Sequence, residues 1–166
     1  MKLTRHYAIN VLFARLEQMA LGHMDETTLE ALLTNIESLR KVAEDFELLK
    51  KELFKRIYGD VEQMTEEQKN DIRGFFEMLE NGKADEAKDA YPDMIAKREK
   101  EIKVIVSLLN KEIDVEIASV DEKAFVKGLL LGNKDVKASE ARAVFAPLFV
   151  THEREEADFS ELDELI

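Results

Sequence analysis

The chain has 166 residues, with 24 Lys or Arg against 36 Asp or Glu, no Cys, no Trp, two Pro and six Gly. A single domain is the default at that length, since a chain of about 150 residues buries roughly 70% of its unfolded surface. A composition 45% hydrophobic and 36% charged excludes collagen-like, disulfide-framed and low-complexity classes, and the absence of Cys removes thiolate nucleophiles, Cys zinc sites and redox pairs.

Leu3, Tyr7, Ile9, Leu12, Phe13, Leu16 and Met19 recur at helical spacing before Gly22, which predicts a first helix over about residues 4–21. Arg15 and Glu17 interrupt this stretch, so it reads as neither a signal peptide nor a membrane span. Thr27-Thr28-Leu29-Glu30 has the form of a capping box, in which the cap hydroxyl accepts the N3 amide and the Glu reaches back to the cap amide. A long helix should start there. Leu29, Leu32, Ile36, Leu39, Ala43 and Phe46 follow at spacings of three and four, and Leu49, Leu53 and Ile57 continue the stripe with shifted phase up to Tyr58-Gly59. Glu37 with Lys41, Glu47 with Lys51 and Glu52 with Arg56 are acid-before-base pairs four residues apart, each worth about 0.2–0.5 kcal/mol on an exposed helix.

Residues 60–91 hold ten acids and four bases. Thr65-Glu66-Glu67-Gln68 is a second capping-box match, and Ile72, Phe75, Phe76 and Leu79 give a shorter helix that should stop at Asn81-Gly82. Phe75-Phe76 reads either as core packing or as an exposed docking knob. Pro92 suits a first helical turn, and Ile95, Ile102, Ile105, Val106 and Leu109 mark a return helix to about Lys111. The fold class is therefore mainly α: a long antiparallel, coiled-coil-like hairpin over 27–112 with an acidic excursion at 60–91. The alternation of Ile113-Asp114-Val115-Glu116-Ile117-Ala118-Ser119-Val120 is the one strand candidate. Asp121 should cap a short helix ending at Gly132, and Pro147 limits the last helical piece over 139–150. The expected organisation is a single helical domain over 1–150 and an acidic tail over 151–166. In that tail seven acids and Arg154 accompany Phe159, Leu162, Leu165 and Ile166, a composition that orders on a partner.

The stretch Ile36-Glu37-Ser38-Leu39-Arg40-Lys41-Val42-Ala43-Glu44-Asp45-Phe46-Glu47-Leu48-Leu49-Lys50-Lys51-Glu52-Leu53, closed by Tyr58-Gly59, and the later Leu109-Asn110-Lys111-Glu112-Ile113-Asp114-Val115-Glu116-Ile117, resemble small helical proteins of unknown function encoded in phages and prophages. The resemblance implies a long helix, an excursion, a return helix and a short strand in that order. It also implies a virion-associated or assembly role without catalysis, in the cytoplasm or the virion.

No residue pattern points to chemistry. His6, His23 and His152 are far apart, His152-Glu153 lacks the second His of a zincin, and Gly82-Lys83 lacks the rest of a phosphate-binding loop. No catalytic residue, cofactor or metal is expected. Residues 38–59 and 92–112 carry net charges of only +2 and +1, too little for a nucleic-acid binder, and no stretch approaches the about 18 apolar residues of a membrane span. Partners should be proteins, or a second copy in a homo-oligomer, met by Phe159, Leu162, Leu165 and Ile166, with Phe75 and Phe76 if that pair is exposed. The alternative function is an acidic regulator or inhibitor that mimics DNA towards a basic protein.

Overall fold

Residues 1–149 are described by the computed structural model; the tail residues Phe159, Leu162, Leu165 and Ile166 lie outside them. The molecule is mainly α, with a long helix, a two-stranded antiparallel sheet and short C-terminal helices. Within the span read as one helical domain, the packing of the described residues falls into two compact units, one from Met1–Ala14 and Glu37–Val115 and the other from Arg15–Ile36 and residues 116–149.

In the first unit, β1 (Lys2–Thr4) pairs antiparallel with β2 (Glu112–Asp114), with Leu3 opposite Ile113. The sequence reading misses β1 and extends the strand too far, to Val120. Period-two alternation marks one strand but not its partner, and a strand is stable only when its ladder is satisfied. The helix expected over 4–21 is also revised: Tyr7–Phe13 is π-helical, and a short α1 (Ala14–Gln18) follows.

The long helix α2 (Glu26–Tyr58) starts from a different cap than the one expected. The Asp25 carboxylate accepts the Thr28 backbone N–H at 2.9 Å and the Thr28 hydroxyl at 2.8 Å, so Thr28 is a donor and Thr27 is not the cap. Asp leads Thr in cap preference, and these bonds, that from the Thr28 amide foremost, hold the Asp25 pKa below its usual value. Leu39 and Phe46 are buried, but Leu49 is exposed. The stripe passes through Lys50 instead, whose ammonium lies 5.2 Å from the Phe46 ring centroid.

At the hairpin tip, α3 (Glu66–Glu80) carries both halves of the expected capping box. Gln68 N–H donates to the Thr65 hydroxyl at 3.2 Å and Thr65 N–H to Gln68 Oε1 at 2.9 Å. The stop at Asn81-Gly82 also holds: Gly82 has φ +71°, a conformation that favours glycine. A short α4 (Ala84–Ala90) precedes α5 (Pro92–Asn110), which opens on its proline. Tyr58 reaches Glu101, while Arg5, stacked 5.8 Å from the Phe46 ring centroid, donates to the Leu108 carbonyl at 2.6 Å. Residue numbers thus rise along α2 as they fall along α5, and the pair is antiparallel. Arg5 supplies the positive partner that the carbonyl end of α5 lacks in its own last turn.

In the second unit, α6 (Glu122–Gly132) is capped as expected by Asp121, which accepts Ala124 N–H at 2.9 Å, and α7 (Ala138–Phe145) ends in a 3₁₀ turn containing Pro147. Phe125 meets Phe145 and Phe149 with centroids 5.1 and 5.5 Å apart. Val115 still exchanges hydrogen bonds with Met1 at 2.9 and 3.0 Å, but the residues after it do not continue that ladder. Instead the buried Asn35 amide donates to the Ala118 carbonyl at 2.9 Å and accepts Ala118 N–H at 2.6 Å, doing for one peptide what a neighbouring strand would do.

Candidate docking groove

The candidate site lies in the first unit, where α2, α3 and α5 meet. Its polar centre is Glu101, which is only 5% exposed. A carboxylate so enclosed is costly unless it is paired and hydrogen-bonded. Arg98, one helical turn earlier, pairs with it, and the Tyr58 hydroxyl donates to it at 3.3 Å. Burial, then the neighbouring Glu101 charge, raises the Tyr58 pKa well above the ordinary value for tyrosine. The phenol therefore holds its proton and donates a hydrogen bond to the Glu101 carboxylate.

Aromatic rings enclose this centre. Phe54 and Tyr58 have centroids 4.7 Å apart, Phe76 stands 5.7 Å from Tyr58 and 6.2 Å from Phe54, and the Arg98 guanidinium lies 5.6 Å from the Phe76 centroid. Behind Phe76, Phe75 packs against Tyr91 at 6.1 Å. Gly74 makes that approach feasible, since a Cβ there would lie 2.7 Å from the Tyr91 hydroxyl. A mid-helix glycine costs about 1 kcal/mol relative to alanine, which the contact offsets.

The two phenylalanines singled out in the sequence therefore separate. Phe75 is fully buried and takes the core-packing alternative, so it is not an accessible docking residue. Phe76 is half-buried and lines a groove of about 380 Å³ together with Glu47, Lys50, Lys51, Phe54, Arg98, Glu101 and Ile105. Glu47 pairs with Lys50 at 2.6 Å, one residue short of the partner expected; Glu52 and Arg56 pair as expected at 2.9 Å. Among the described residues Lys51 has no ionic partner.

Ile102 also departs from expectation. The sequence places it on the apolar stripe of the return helix with Ile95, Ile105, Val106 and Leu109, but it is 45% exposed, and Val106 is 49% exposed. One residue turns an α-helix by about 100°, so the inward claim of Glu101 forces Ile102 outward. On the helix surface Ile102 neighbours Arg98 and Ile105, both of which line the groove. The sequence reading missed Tyr58, Arg98 and Glu101. An Arg-x-x-Glu pair in a chain this rich in charge looks like an ordinary solvated helix pair, and only its position opposite Tyr58 sets it apart.

A smaller cavity of about 340 Å³ between the end of α2 and the start of α3 is lined by Asp60, Gln63, Gln68, Asp71 and Lys97 among others. Among the described residues no group of three or more His, Asp or Glu side chains is arranged to hold a metal ion, and no helix is long and apolar enough to cross a membrane. Comparison with family models, with curated proteins and with solved structures finds no match to this chain.

Proposed function

We propose that this chain is a non-enzymatic helical interaction protein of phage or prophage origin, acting in the virion or its assembly, and that the groove along α2 and α5 is its docking surface. The observation that carries the reading is the outward placement of Ile102 and Val106 beside a groove built from Phe54, Phe76 and Ile105. Single exposed apolar residues are ordinary on protein surfaces, whereas apolar side chains joined to a concave aromatic floor and rimmed by charge mark interaction sites. Arg with aromatic side chains is also the composition enriched where binding energy concentrates. The Glu101 network supports this role by holding Arg98 over Phe76, so that the rim and the floor are fixed before a partner arrives.

The test is site-specific photo-crosslinking in the cells that express the protein. A benzophenone side chain at position 102 should give one dominant protein adduct. The same group at exposed Lys100, roughly opposite on α5, should not. Equal adducts from both positions, or none from position 102, would contradict the reading.

A further inference from the structure

We propose that the occupant of this groove is the acidic C-terminal segment, residues 153–166, of a second copy of this chain. The inference rests on the docking role proposed above and names the partner.

Charge complementarity is the first argument. The segment holds seven acids and one base, whereas the stretches that supply α2 and α5 around the groove, residues 38–59 and 92–112, carry net +2 and +1 in a chain of −12. At the groove Lys50 and Arg98 are paired with Glu47 and Glu101, which leaves Lys51, unpaired among the described residues, as the net positive charge of the lining. The hairpin tip, with ten acids against four bases over 60–91, would repel the same segment. The second argument is the apolar pattern. Phe159, Leu162 and Ile166 are spaced i, i+3 and i+7, the anchor spacing of helix-in-groove recognition, and Phe54, Phe76 and Ile105 line the groove, with exposed Ile102 one helical turn from Ile105. The third is symmetry. Every copy carries one groove and one segment, so two copies related by a two-fold axis make the contact twice in a closed pair.

The experiment uses the full chain, a chain ending at Thr151, and a fluorescein-labelled peptide of residues 153–166. By sedimentation velocity the full chain should form a dimer that dissociates on dilution across about 1–100 μM, and the chain ending at Thr151 should stay monomeric. The peptide should bind the shortened chain. Binding should weaken about tenfold or more with Lys51→Glu, with Ile102→Asp, or on raising salt from about 50 to 500 mM. Both substituted side chains are exposed, and an unchanged circular dichroism melt will show that the variants fold.

A shortened chain that still dimerises, or a peptide that does not bind it, would overturn the assignment. A full chain that stays monomeric while the peptide binds would move the contact within one chain and overturn the second-copy proposal. If the peptide fails while position 102 still crosslinks to one protein and position 100 does not, only the occupant is wrong. If both fail, the docking reading falls as well.

Discussion

Glu101 and Tyr58 show how one enclosed carboxylate organises its surroundings. Glu101→Ala would leave the Tyr58 hydroxyl without its acceptor, which should cost about 1–3 kcal/mol, while Glu101→Gln, which keeps an acceptor oxygen, should cost less. Arg98 is about one-third exposed and can turn to water, so the loss stays below the about 3–5 kcal/mol of a fully buried pair. Urea melts of the two variants check the ranking, and equal stabilities would contradict it. Tyr58 adds a pH signature. Its folded pKa lies above its unfolded value, through burial first and the Glu101 charge second. The associated stability is complete below the unfolded pKa of about 10 and is lost as pH rises from there toward the folded pKa. Stability measured from pH 8 to 11.5 should therefore fall on the alkaline side, and Tyr58→Phe should flatten that limb. An alkaline limb as steep in the variant as in the parent would sink the assignment.

The helices carry their own instructions, and most of these were legible. Thr65 with Gln68, Gly82, Pro92 and Asp121 mark helix ends by local chemistry, and each acts where the sequence placed it. Capping and turn formation involve residues a few positions apart, so no tertiary information is needed to see them. What could not be read depends on distant partners. Leu3 and Ile113 become strand neighbours only because α5 returns the chain beside its start. Ala118 is held by Asn35, which looked like any polar residue on a long helix. On α5 the hydrophobic stripe marks the right helix, and Ile95, Ile105 and Leu109 are half-buried, but it misplaces Ile102 and Val106, because Glu101 takes the inward position and no periodicity argument anticipates a buried acid. The groove was thus half-visible. Phe76 stands out in the sequence, whereas Lys50, Lys51, Phe54 and Arg98 are ordinary positions within helical stretches. The packing of α3 provides the check at this scale. Phe75→Ala should destabilise the protein by about 3–5 kcal/mol, the cost of emptying a fully enclosed phenylalanine site. A loss under about 1 kcal/mol in a thermal melt would mean that α3 does not pack on the hairpin as described.

For the whole molecule, the distribution of charge matters more than its sum. The acids gather at the hairpin tip and in residues 153–166, while residues 38–59 and 92–112, which carry most of the groove, have net charges of +2 and +1. If the terminal segment serves association, removing it should leave the fold intact. A chain ending at Thr151 should match the parent to within about 1 kcal/mol, as expected when no core is lost, and unfolding of the shortened chain would instead make the segment part of the core. The central claim, that the α2–α5 groove is the surface covered on association, is tested most directly by amide hydrogen exchange read by mass spectrometry on the full chain from dilute to concentrated solution. Peptides covering residues 47–54 and 98–106 should exchange more slowly as concentration rises, and those from α6 should not change. Protection confined to other regions, or none at any concentration, would contradict the account.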